Sequence, residues 1–145
     1  MRPGRVGAKF LFAAMAVALC FVPYKRMTAP HWYIRVTNAD GSPASNIRIR
    51  EEANDYSCGS DEQEEDVTSN GIGEVEFAPK YIRTTVVHCI LRTIRSTAAG
   101  VHASFGRNTW AFPIGPNGYI LDKNGNIYAW SGHPAVLHSQ LMLKR

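Results

Sequence analysis

The chain has 145 residues, 45% of them hydrophobic, which suits a single domain with a substantial core. Its net charge of +4 invites a nucleic-acid partner, yet Arg2, Arg5, Lys9, Lys25 and Arg26 all precede residue 27, and the other eleven basic residues are set against all twelve acids. The basicity therefore belongs to the leader, and the charge pattern excludes a nucleic-acid footprint on the domain itself.

Phe10 to Tyr24 (FLFAAMAVALCFVPY) is an uncharged, mostly apolar run behind three cations, the pattern of a secretory signal. Its fifteen residues fall short of the roughly 17–25 of a spanning helix, although Lys9 and Lys25 can snorkel and extend its reach. Neither Ala18 with Cys20 nor Met27 to Ala29 makes a good cleavage site, and Leu19 before Cys20 spoils a lipoprotein site. Residues 1–26 are therefore expected to be a signal peptide or membrane anchor, with the anchor preferred, contacting the membrane through Phe10 to Tyr24. Residues 27–145 are then a domain in the periplasm or outside the cell, and secretion after cleavage is the alternative. Cys20 lies in the leader, so export leaves Cys58 and Cys89 as an even pair and predicts a disulfide between them.

Trp32 to Asn38 is rich in β-branched and aromatic residues and predicts a strand. Asp40-Gly41 supplies a turn, and Asn46 to Glu52 alternates, with Ile47 and Ile49 opposite Arg48 and Arg50. Asp61 to Asp66 (DEQEED) has nothing apolar to bury and predicts a solvated loop, followed by a turn and a strand over Gly73 to Phe77. Thr84 to Leu91 (TTVVHCIL) is apolar on both alternating faces and predicts a central strand. Val101 to Phe105 and Thr109 to Ile114 predict short strands, the second placed at an edge or end by Pro113. Tyr119 to Asp122 and Ile127 to Trp130 flank Asn124-Gly125, the signature of a tight hairpin, with Tyr119 facing Trp130. His138 to Arg145 is a final strand or a short helix. Short strands with regular turn signals, and no amphipathic helix beyond the leader, predict an all-β fold: one antiparallel β-sandwich of transthyretin-like or immunoglobulin-like type, preceded by an N-terminal hydrophobic helix.

Ile34 to Thr37, Asp40, Gly41, Pro43, Ile47 to Ile49, Thr68 with Gly71 or Gly73, and Val75 to Phe77 follow one another in an order that resembles the carboxypeptidase regulatory-like domain, an exported transthyretin-like sandwich. The match spans about residues 32–77; the acidic insertion after Arg50 is longer than in that family, and the chain beyond about residue 95 falls outside it. The chain also resembles short exported bacterial proteins with a stretch similar to Gly100 to Gly106 (GVHASFG). The first resemblance implies an accessory module with no catalytic residues to carry over. The one enzymatic branch of the fold, the hydroxyisourate hydrolases, ends in Tyr-Arg-Gly-Ser, whereas this chain ends QLMLKR.

Cys58, His88, Cys89 and His102 have the atoms zinc prefers, but no CxxC or HxxxH spacing brings them together, and a strand would turn His88 and Cys89 to opposite faces. The acidic tract lacks the alternating order of a calcium loop. Asp122, Asn124 and Asn126 show part of that order, and the hairpin accounts for them. Ser104 is not in a nucleophile elbow. No metal or cofactor is expected. Trp110, Tyr119, Tyr128 and Trp130 form the candidate surface for a ligand or partner, since exposed aromatics stack on sugars and anchor proteins. The expected function is a non-catalytic envelope accessory or interaction domain, with an envelope protein or a glycan as partner. The alternatives are a carbohydrate-binding module using the late aromatics, or an exported hydrolase with an unrecognised site, which a pocket joining His102 and Ser104 with a carboxylate would favour.

Overall fold

The computed structural model describes residues 4–59, 62–98, 100, 104–115, 118–119 and 128–143. A helix, α1 (Gly4–Leu19), leads into strands β1 (Tyr24–Ala29), β2 (His31–Thr37), β3 (Arg48–Asp55), β4 (Gln63–Thr68), β5 (Glu74–Phe77) and β6 (Lys80–Thr84). A second helix, α2 (Val86–Ala98), precedes β7 (Arg107–Gly115), β8 (Gly118–Tyr119), β9 (Tyr128–Trp130) and β10 (Val136–Met142). The fold is mostly β, as alternation and turn spacing predict.

One sheet runs β10–β2–β5; a second runs β4–β3–β7, with β8 and β9 both on the far side of β7; β1 and β6 form a separate ribbon. The first sheet buries Trp32, Ile34 and Val36 of β2, Val75 and Phe77 of β5, and Leu141 of β10. Ile49 of β3 and Ala111 of β7 join the same cluster from the second sheet. Each of the larger side chains contributes roughly 1.5–3 kcal/mol by leaving water. Alternation in β2 sends His31, Tyr33 and Arg35 to the other face, away from this core.

Asp40 organises the turn after β2, its carboxylate accepting from the Ser42 N–H at 2.9 Å and the Ser42 hydroxyl at 2.6 Å. β2 and β3 belong to different sheets, so the turn carries the chain between layers and does not close a hairpin. Gly73 takes φ +76°, and a Cβ there would run into the Val36 carbonyl, so the close β2–β5 corner requires glycine.

The β1–β6 ribbon rests on the second sheet through polar groups. Arg26 meets buried Asp55 at 2.5 Å, and Lys80 lies 2.7 Å from buried Glu51 and 3.3 Å from Glu65. The Thr109 hydroxyl donates to the Thr28 carbonyl at 2.7 Å, and Arg107 donates to that of Met27 at 3.1 Å. Lys25 and Arg26 are thus strand residues continuous with the domain.

Several expectations are corrected. The central strand over Thr84 to Leu91 does not form: β6 stops at Thr84 and α2 starts at Val86. Val86, Val87, Ile90, Leu91 and Ile94 fit a helical stripe as well as a two-sided strand, and a short apolar run cannot separate the two. The Thr85 hydroxyl decides the local outcome by accepting from the His88 N–H at 3.1 Å, as a helix cap does. Within the expected acidic loop, Gln63 to Thr68 is instead β4, antiparallel to β3. Its outward Asp66 lies opposite Arg50, so charge pairing does what apolar burial does elsewhere. The tail forms a strand, β10, but parallel to β2, so the sheets are not wholly antiparallel. Pro113 sits inside β7, opposite Ile49 and between the described pairings to β8 and β9.

The expected hairpin around Asn124-Gly125 lies mostly outside the described residues, as do Val101 to Ala103. Its described ends both pair with β7, Tyr119 opposite Ile114 and Trp130 opposite Thr109, so Tyr119 does not face Trp130. The expected spanning anchor is not met: α1 has 16 residues, and among the described residues no helix is long and apolar enough to cross a membrane.

Candidate functional site

The outer face of the β10–β2–β5 sheet gathers its polar side chains in two rows. Register sets Tyr33 between Glu76 and His138, and Arg35 between Glu74 and Gln140. The Tyr33 and His138 rings stack at 5.0 Å with 11° between planes, and the His31 ring tilts against Tyr33 at 4.5 Å. His31 Nε2 lies 2.6 Å from the Glu76 carboxylate, fixing the edge of this aromatic row. Partial desolvation, then the charge and hydrogen bond of Glu76, push the Tyr33 phenol above its ordinary value, so it stays a hydroxyl donor across the neutral range.

A groove of about 480 Å³ opens here, lined by Tyr33, Arg35, Asn70, Glu74, Glu76 and His138 among others. The Asn70 side-chain carbonyl accepts from the N–H groups of Ile72 and Glu74, at 3.1 and 2.9 Å, and so holds the turn that forms one wall. Flat rings, a guanidinium and carboxylates within one concavity can bind a neutral polar ligand rich in hydroxyls or amides. The Ser139 hydroxyl oxygen, also at this groove, accepts from the Trp32 indole N–H at 2.9 Å.

Of the expected aromatic surface, Trp110 and Trp130 do not share a face. Trp130 is 2% exposed and packs inward, its indole N–H donating to the Pro134 carbonyl at 2.6 Å, with the Arg107 guanidinium 5.6 Å from its ring. Its place opposite inward-facing Thr109 in the register is the physical reason. Trp110 is half-buried on the opposite face of the sheet, opposite Glu52. Tyr119 and Tyr128 belong to β8 and β9, but their side chains lie outside the described residues.

The other expected pair is present: Cys58 and Cys89 form a disulfide that joins α2 to the turn after β3. Both thiols are thereby removed from any zinc set with His88. His102 lies outside the described residues, and Ser104 is exposed. Among the described residues, no cluster of three or more His, Cys, Asp or Glu side chains could hold a metal ion.

On the outer face of β3 and β4, Arg50 donates to Asp66 through Nε at 2.8 Å and Nη2 at 3.1 Å, and Arg48 also reaches Asp66. These hydrogen bonds, Arg50's first, pull the Asp66 carboxyl down to about 2. Glu52 shifts the other way, raised by desolvation and then by Glu62 and Glu64. This face consists of mutually compensated charge.

The groove escaped sequence reasoning because its rows depend on the parallel register of β10 beside β2. The one signal within reach was the polar face of β2 itself, His31, Tyr33 and Arg35. Comparison with protein-family models, curated proteins and solved structures found no match.

Proposed function

We propose that the chain is a non-catalytic accessory domain of the cell envelope: exported, attached to the membrane surface by the apolar side chains of α1 without spanning it, and presenting the Tyr33–His138 groove to a polar partner. The observation that carries this reading is the Cys58–Cys89 disulfide, because such bonds persist in oxidising compartments. The basic residues followed by an apolar run at the N-terminus support the same compartment. The two-layer β architecture and the Asp40–Pro43 turn agree with the resemblance to a carboxypeptidase regulatory-like, transthyretin-like sandwich. Protease added to intact spheroplasts tests export: the domain is expected to be digested while cytosolic markers survive, and its survival until lysis contradicts the reading.

A second reading, carbohydrate recognition, gains from the stacked Tyr33 and His138 rings beside Glu74, Arg35 and Asn70. It moves the ligand surface from the late aromatics to the β10–β2–β5 face. On a glycan array, this reading expects binding that Tyr33→Ala and His138→Ala abolish and Trp110→Ala leaves intact; loss with Trp110→Ala alone returns the site to the second sheet.

A further inference from the structure

α2 turns an unusual side to the protein. A surface helix normally buries its apolar stripe and exposes its polar one. Here Val86, Ile90, Leu91 and Ile94, spaced to share one face, are 40%, 52%, 56% and 59% exposed. The half-buried residues are Val87 within the stripe and Cys89, Thr93 and Ser96 towards the other side, and no residue of the helix is buried. The disulfide at Cys89 fixes this orientation from one side. From the other, the Val87 N–H donates to the Cys20 carbonyl at 3.2 Å, and the Tyr24 hydroxyl lies 3.6 Å from Cys89 Sγ. The apolar stripe therefore begins beside the end of α1, where Phe21 and Val22 are also exposed.

Charge says what can cover it. No Asp or Glu occurs in residues 4–29 or 80–98, the stretches that form α1, β1, β6 and α2; all twelve acids lie elsewhere. Arg26 and Lys80 are taken by Asp55, Glu51 and Glu65, and the Arg92 side chain lies over Gly59 on the protein side of α2, whereas Lys25, Arg83 and Arg95 have no ion pair among the described residues. An exposed apolar face on elements that carry cations and no acids is complementary to an anionic lipid surface.

We propose that α2 is an interfacial helix that seats Val86, Ile90, Leu91 and Ile94 in anionic lipid beside the point where α1 meets the membrane. The proposal rests on the membrane reading of α1 and adds a second, separately placed contact. The disulfide then has a use beyond stability: it keeps the apolar side of α2 directed outward, towards lipid.

The test is hydrogen exchange on the full-length protein, alone and with vesicles of phosphatidylcholine with or without phosphatidylglycerol. Exchange across 86–98 should slow roughly tenfold on the anionic vesicles, and the effect should weaken on neutral vesicles and at high salt. The Ile90→Glu, Ile94→Glu double variant should lose protection in α2 while α1 stays protected. Protection of α1 with no change in α2 overturns the proposal and leaves the membrane reading standing; protection of neither helix overturns both. Concentration-dependent protection of α2 without lipid also overturns it, by identifying a second copy as the occupant.

Discussion

Lys80 is the cation on which a buried carboxylate depends. The Glu51 side chain is fully buried, and burial raises its carboxyl above the usual range while Lys80 opposes that rise. The two groups approach to 2.7 Å, yet Glu51 Oε1 has no hydrogen-bond partner among the described residues. Lys80→Met should therefore cost roughly 3–5 kcal/mol at neutral pH, because a charge is left buried without compensation. The raised group binds its proton more readily in the folded state, so the penalty should shrink as pH falls and Glu51 becomes neutral. Urea midpoints near pH 8 and near pH 5 measure this, and a pH-independent penalty would point to lost packing instead. Asp66 has the opposite sign. Its folded value of about 2 lies below the ordinary 3.8, so its stabilisation is present above that range and lost as pH falls through about 2. Asp66→Asn should cost roughly 1 kcal/mol at neutral pH, as exposed ion pairs do. Wild type and variant should converge in acid, which the same denaturation series reads.

α2 is the element with the weakest hold on the rest. Thirteen residues are marginal as an isolated helix in water, and this helix buries none of them, so the disulfide is its main attachment. Closing a loop with a separation of 31 residues is worth roughly 3–4 kcal/mol in the chain-entropy account. Reduction in the absence of lipid should release exchange protection across residues 86–98 first, while Trp32 to Thr37 and Val75 to Phe77 stay protected in the core. Simultaneous loss everywhere would mean that α2 is integral to the core. The same element shows where sequence reasoning stops. β2, β3 and β5 were legible because one face of each is apolar and the other polar, so alternation reports burial directly. α2 was misread because Val86 to Leu91 satisfies two periods at once, and the stripe becomes helical only when extended to Ile94. β4 was missed for a different reason: Glu64, Glu65 and Asp66 are stabilised by Arg48, Arg50 and Lys80, partners that only the fold brings alongside. The groove needed more still, the parallel pairing of β10 with β2, which is set by a long-range register that no local pattern encodes.

Across the whole molecule, charge and apolar exposure are segregated. The two larger sheets and their turns carry the described acids, the closed core and the Tyr33–His138 groove, whereas the helices and the β1–β6 ribbon carry unpaired cations and exposed apolar side chains. Arg26 with Asp55, and Lys80 with Glu51, join the two parts, so the half proposed to meet lipid is tied to the half proposed to bind a partner. Cleavage after Ala29 would remove β1 and with it Arg26 and buried Thr28, so a processed form that keeps the fold must retain the chain from about Tyr24. Cell fractionation followed by intact-mass measurement under non-reducing conditions, after alkylation of free thiols, tests the central claim most directly. The account predicts protein in the membrane fraction with Cys58 and Cys89 closed to the alkylating agent. Intact protein in the cytosol, with both thiols modified, would contradict it.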